Sequence, residues 1–132
     1  MRSRAHSDVL IVGASVAGLT AADALRSEGF PGRITMIGDE DVLPYGRPAL
    51  SKQILVGEWS ADESTLCSPA ELDGLGVQFL RGTAARSLDR ARRVVTTSSG
   101  EELQFGTLVA ATGVAARRPA FSSDLAGVHC LR

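Results

Sequence analysis

An α/β fold, a parallel sheet with flanking helices plus a small antiparallel β-meander, is predicted from three observations. Residues 9–12, Val-Leu-Ile-Val, form an unbroken apolar run that ends in a turn of small residues. A segment with helical spacing follows that turn, and a second apolar strand follows the helix. Further along come short strand-like segments separated by turn residues, the pattern of a meander.

Each element has its own reason. An apolar run of four suits a strand covered on both faces. From Val16 to Ser27, Leu19, Ala22 and Leu25 fall on one face with Asp23 and Arg26 off it, and Gly29 stands where a C-cap belongs. Residues 33–37 supply the second strand and complete a βαβ unit. Residues 49–55 read as one or two helical turns after the rigid Pro44 and Pro48, 59–63 as a linker in which Trp59 packs, and 68–72 as one helical turn before the breaks at Gly74 and Gly76. Val77–Leu80 is a strand. Segments 83–88, 94–97 and 101–105 form the meander, and 107–113 returns to the parallel sheet, ending in a second small-residue turn at Thr112 and Gly113.

The first turn carries the chemistry. A helix N-terminus presents unpaired N–H groups and the positive end of the helix dipole, which suits a pyrophosphate when the turn is built of small residues. Gly13, Ala14, Ser15, Ala17 and Gly18 are such a turn, with Gly13 for the bend and Gly18 for close helix–strand packing. Ser15 stands where the dinucleotide fingerprint has its second glycine. Asp39 lies at the spacing of the acid that accepts hydrogen bonds from a ribose diol. The unit therefore reads as Rossmann-like. Arg47 and Lys52, the latter the only lysine of the chain, place two cations just beyond it.

Composition removes other classes. The 132 residues have room for one domain, and 44% apolar with 22% charged residues is ordinary for a soluble globular chain. A net charge of −1 gives no electrostatic footprint for nucleic acid or an anionic membrane, and no run reaches membrane-spanning length. The arginines at 90, 92 and 93 read as a solvated hairpin tip, and Arg117 and Arg118 as surface charges. Cys67 and Cys130 are too far apart in sequence for a redox pair or metal-ligand spacing, and His6 and His129 have no ligand cluster around them. Reduced structural thiols, no metal site and a cytoplasmic location are expected. Residues 1–7 are expected to be a flexible tail, with the domain occupying 8–132.

Four ordered motifs carry a resemblance: Gly-Ala-Ser-Val-Ala-Gly at 13–18, Gly-Asp-Glu at 38–40, Pro-Tyr-Gly-Arg-Pro-Ala-Leu-Ser-Lys at 44–52 and Ala-Thr-Gly at 111–113. Together they resemble the FAD-dependent ferredoxin reductases of oxygenase and cytochrome P450 systems. The resemblance implies a Rossmann-like FAD-binding half-domain of an enzyme that passes electrons from NAD(P)H through FAD to an iron–sulfur ferredoxin. It also implies that the turn at 13–18 holds the FAD pyrophosphate, Asp39 the adenosine ribose, and Arg47 and Lys52 the flavin cofactor, with Lys52 beside the redox-active ring as the catalytic candidate. By the same analogy Thr112 and Gly113 lie near the cofactor, the backbone of Ala85 meets its adenine side, and Arg132 contacts FAD. The chain corresponds to roughly the first third of such an enzyme, without the NAD-binding and C-terminal domains, so these 132 residues alone are expected to be inactive. Two alternatives stay open: a disulfide-reductase relative, though residues 47–52 lack the paired cysteines of that class, and a non-catalytic nucleotide-binding or interaction module.

Overall fold

The computed structural model describes residues 5–122 and 125–131. Strand β1 is Ala5–Val12, helix α1 Val16–Ser27, strand β2 Ile34–Ile37, helix α2 Pro69–Gly74, and strands β3 to β6 are Val77–Leu80, Ala85–Asp89, Val94–Thr97 and Glu102–Ala110. All six strands join one sheet in the order β3-β2-β1-β6-β5-β4. β3, β2, β1 and β6 are mutually parallel neighbours, whereas β4, β5 and β6 pair antiparallel, so the meander grows out of the parallel sheet through β6.

The apolar run of β1 is buried on both faces, as its composition predicts. Val9 and Ile11 pack with Ile34, Met36, Ala22 of α1 and Leu72 of α2 on one face. Leu10 and Val12 pack with Ile37, Val95, Leu103 and Phe105 on the other. Helices therefore cover one face and meander residues the other. Leu10, Ile11, Ile34 and Met36 are each 0% exposed, and truncating any one of them to Ala would cost about 2–5 kcal/mol.

Helix α1 has the predicted bounds. It stops because Gly29 adopts φ +77°, the left-handed conformation that favours glycine. The Gly29 N–H donates to Arg26 O at 3.0 Å and the Phe30 N–H to Leu25 O at 2.9 Å, the two bonds of a Schellman cap. The Arg26 side chain then donates to Phe30 O, Gly32 O, Leu75 O and Gly76 O, tying the end of α1 to the start of β3.

Four expectations are corrected. Ala5, His6 and Ser7 are strand rather than tail: Ser7 is 2% exposed and its hydroxyl donates to Thr35 Oγ1 at 2.6 Å, so this polar residue is satisfied inside the sheet. Segments 101–105 and 107–113 are one strand, β6, to Ala110. Gly106 does not interrupt it, because a Cβ there would lie 2.8 Å from Asp8 O and only glycine lets β6 run this close to β1. Helix α2 runs on to Gly74, opened by a capping box in which the Ser68 N–H and hydroxyl donate to the Glu71 carboxylate at 2.7 and 2.8 Å. Trp59 leaves 39% of its surface exposed, so it is only partly a packing residue.

Candidate functional site

The carboxyl ends of β1, β2 and β6 converge on one cleft. The backbone extends the sheet pairing past each strand end: the Gly13 N–H donates to Ile37 O at 2.9 Å and the Ala111 N–H to Val12 O at 2.8 Å. The turn after β2 is fastened in the same way, with the Gly38 N–H on Leu80 O, the Thr83 N–H on Gly38 O at 2.6 Å and the Gly82 N–H on Glu40 O. Gly13, Ala14 and Ser15 line the cleft from β1, Gly38, Asp39 and Glu40 from β2, and residues 111–114 from β6. Val42, Tyr45 and Arg47 close its remaining side. Ligands of open α/β sheets sit at this position, outside the carboxyl ends of the strands.

Two glycines set the shape of the turn. Gly13 has φ +116°, and a Cβ there would stand 2.1 Å from the carbonyl oxygen of Ala111, so the neighbouring strand end already requires glycine. A Cβ on Gly18 would stand 2.0 Å from Gly13 O and 3.2 Å from Ile11 Cγ2, so Gly18 lets α1 seat directly on the turn. Ser15 is the N-cap of α1 in extended conformation, and its hydroxyl makes no cap bond to the helix. The first turn of α1 also carries no acidic residue. Its N–H groups and the positive dipole end are thus left for an anion from outside the helix.

Residues 44–47 are placed by a short antiparallel bridge between Tyr45 and Thr65. The Gly46 N–H donates to Ser64 O and the Leu66 N–H to Pro44 O, each at 2.8 Å. A 3-10 helix, Arg47–Ser51, follows with Pro48 in its first turn, in place of the helical turns expected over 49–55. Arg47 Nη2 donates to Glu40 Oε1 at 3.0 Å, and its guanidinium lies 5.9 Å from the centre of the Tyr45 ring. Arg47 Nε is buried and, among the described residues, has no acceptor.

Of the residues expected at a site, Gly13, Ala14, Ser15, Asp39, Arg47, Thr112 and Gly113 come together in this cleft. Ala85 lines an adjoining recess with Thr83 and Ala84, and that recess shares Gly13, Gly38, Asp39 and Thr112 with the cleft. Ala17 and Gly18 do not line it, and Gly18 supports it from behind. Lys52 is not brought to the cleft: it is exposed, with Nζ 3.5 Å from Pro48 O. Arg132 lies outside the described residues. Gly38, Glu40, Tyr45 and Ala111 line the cleft as well. All four stand within the motifs at 38–40, 44–52 and 111–113, so adjacency to Asp39, Arg47 and Thr112 is the signal in the sequence that marks them.

The arrangement suits binding rather than acid–base or nucleophilic chemistry. Cys67 lies on the helical face, where burial and then the nearby Glu71 carboxylate push its thiol pKa up, so it stays a protonated packing group. Among the described residues both cysteines are free and no group of side chains could hold a metal ion. No helix of the described residues is long and apolar enough to cross a membrane.

Comparison with known proteins agrees with this geometry. A family profile, pyridine nucleotide-disulphide oxidoreductase, matches residues 7–132. This chain belongs to that family. Within it, the chain is 42% identical over 125 residues to the biphenyl dioxygenase system ferredoxin–NAD(+) reductase component of Paraburkholderia xenovorans, covering 94% of this chain and 30% of the relative. The fold matches the crystal structure of the covalent putidaredoxin reductase–putidaredoxin complex with a TM-score of 0.84 and 36% identity, over 91% of this chain and 29% of that one. NADH:rubredoxin oxidoreductase from Clostridium acetobutylicum matches with a TM-score of 0.80 and 30% identity, over 91% of this chain and 31% of that one. The chain thus spans about 30% of the length of the curated relatives it matches. As a member of the pyridine nucleotide-disulphide oxidoreductases it places Arg47–Ser51 after the βαβ unit, and no cysteine occurs between residues 1 and 66.

Proposed function

We propose that this chain is the FAD-binding portion of an NAD(P)H-dependent ferredoxin reductase, an oxidoreductase that carries electrons from NAD(P)H through FAD to an iron–sulfur ferredoxin. The observation that carries the reading is the meeting, in one cleft, of a helix N-terminus without a side-chain cap bond, Asp39, and a buried Arg47 Nε that has no acceptor among the described residues. The relatives add the reaction class: one is named as a ferredoxin–NAD(+) reductase and another was crystallised with putidaredoxin.

The residues present fit the ADP half of FAD. The N–H groups at the start of α1 would receive the pyrophosphate, with Ser15 as an additional hydroxyl donor. Asp39 would accept from the ribose diol, and Arg47 would donate to an acceptor on the dinucleotide. Ala85, through its backbone in the adjoining recess, is assigned to the adenine side, and Thr112 and Gly113 to the cofactor side of β6. Arg132 is assigned a cofactor contact by family analogy. FAD, when bound, accepts an electron pair from a nicotinamide and releases electrons singly to a one-electron carrier. Lys52 is the one cation proposed to act on the ring, where its charge would stabilise the negative charge of the reduced form. The nicotinamide and the ferredoxin are assigned to sites formed with the rest of the polypeptide, because one dinucleotide fingerprint is found in these residues. A reducing, cytoplasmic compartment fits both the free cysteines and the use of NAD(P)H.

The test is to reconstitute the complete protein with FAD and follow NADH- and NADPH-dependent reduction of a ferredoxin of the dioxygenase type, coupled to cytochrome c. Ferredoxin-dependent turnover that vanishes without FAD is expected. A colourless protein that neither takes up FAD nor oxidises NAD(P)H would leave the nucleotide-binding module as the better reading.

A further inference from the structure

We propose that Glu40 is a positioning residue that holds the Arg47 guanidinium in register for the dinucleotide, an inference that rests on the FAD reading of the cleft. Both carboxylate oxygens of Glu40 are engaged on the same side of the cleft: Oε2 accepts from Tyr45 Oη at 2.7 Å and Oε1 from Arg47 Nη2 at 3.0 Å. The guanidinium also lies 5.9 Å from the Tyr45 ring centre, so Glu40 links the other two side chains.

The set is anchored at both ends by backbone. Glu40 O accepts from the Gly82 N–H at 3.0 Å, while Tyr45 sits in the bridge to Thr65. A guanidinium is a planar fork, so fixing Nη2 on one carboxylate oxygen restricts the direction of its remaining donors. One of those donors, Nε, is buried and has no acceptor among the described residues. Leaving a charged donor buried and unpaired costs stability, and the set persists with that cost because Glu40 and Tyr45 over-determine where the guanidinium lies. All three residues line the cleft, as does Asp39 beside Glu40, so the acceptor that completes Arg47 belongs to the ligand. The two consecutive acids after β2 then divide the work: Asp39 faces the ribose, and Glu40 acts through Arg47 without touching the cofactor.

The test is a double-mutant cycle on FAD affinity in the complete protein, with the melting temperature of the FAD-free form read alongside. Glu40→Ala and Arg47→Ala are each expected to weaken FAD about tenfold, and the double variant to be no weaker than Arg47→Ala within about twofold, because Glu40 acts only through Arg47. Tyr45→Phe, which removes one brace, is expected to weaken FAD about threefold with an unchanged FAD-free melting temperature. Losses that multiply in the double variant overturn the proposal. So does a Glu40→Ala protein with a lowered FAD-free melting temperature and wild-type FAD affinity, which would make Glu40 structural. Should Glu40→Ala fail to fold, Glu40→Gln carries the same cycle: a few-fold loss that disappears on the Arg47→Ala background supports the proposal, and an equal loss on both backgrounds overturns it. If Asp39→Ala weakens FAD while Glu40→Ala does not, this inference alone fails. If neither Asp39→Ala nor Arg47→Ala affects FAD, the reading of the cleft fails and takes the inference with it.

Discussion

Arg47 and Lys52 lie in one short stretch and carry the same charge, yet the protein treats them differently. Arg47 is held by Glu40 and Tyr45 at the edge of the cleft, and the residues before it are pinned by backbone bonds to 64–66. Lys52, at the far end of Arg47–Ser51, is exposed, and its Nζ donates to Pro48 O of its own turn at 3.5 Å. Beyond it Leu55 and Val56 are 64% and 67% exposed. The cleft is framed locally by strand ends and one helix terminus, and Arg47 is fixed at its edge by a carboxylate from the turn after β2. Lys52, five residues further on, stands where that framing has ended. Two cations of one short stretch are thus held differently because only one of them lies among strand ends.

The most damaging change to the organised side is at Gly13. Gly13→Val would place a branched side chain at φ +116° against the Ala111 carbonyl, at a cost of about 4 kcal/mol or more, enough to unfold a marginal domain. Circular dichroism and thermal melting check it. A folded, FAD-binding Gly13→Val protein would mean that β1 and β6 need not approach as described.

Next in size is Asp39. If Asp39 accepts one or two charge-assisted hydrogen bonds from the ribose, Asp39→Ala is expected to cost about 1.5–3 kcal/mol for each, or about 10- to 150-fold in FAD affinity per bond. A fluorescence titration of the apoprotein measures it, and unchanged affinity would detach Asp39 from the cofactor.

Lys52 sharpens the comparison, because its effect should fall on electronics and hardly on affinity. Lys52→Met is expected to keep FAD binding within about twofold while lowering the flavin reduction potential by roughly 20 mV, the equivalent of about 1 kcal/mol for a two-electron couple. Slower reduction by NADH should accompany it. A spectroelectrochemical titration with no shift would place Lys52 on the protein surface in the complete protein too.

The smallest effect is at the cap of α2, remote from the cleft. Hydrogen bonds from the Ser68 N–H and then its hydroxyl lower the Glu71 pKa from its ordinary value. A depressed folded-state pKa means stabilisation that is present above the unfolded value and lost as pH falls through the folded one. Glu71→Gln should therefore flatten the acid side of the melting-temperature profile slightly and leave FAD affinity alone. A profile parallel to wild type would show that the cap makes no charge-dependent contribution.

How far the sequence was legible follows from how local each cause is. The β1–turn–α1 unit could be read closely because an apolar run, a small-residue turn, the period of Leu19, Ala22 and Leu25 and the stop at Gly29 all act within a few residues. The continuity of β6 could not, since Gly106 looks like a break in sequence and is a close approach to Asp8 in space. Ser7 looked like tail for a similar reason: its partner, Thr35, is 28 residues away. The lining residues from the turn at 13–15, with Asp39 and Arg47, were anticipated. The link from Glu40 to Arg47 was not, because it depends on the bridge between Tyr45 and Thr65, which no periodicity announces.

The proposal that the cleft between the ends of β1, β2 and β6 takes the ADP half of FAD is decided by a crystal structure of the complete protein reconstituted with FAD. Pyrophosphate density is expected against the N–H groups at the start of α1, with the ribose diol on Asp39 and an acceptor of the dinucleotide on Arg47. FAD bound elsewhere, or bound here with Asp39 and Arg47 turned away from it, would overturn the assignment.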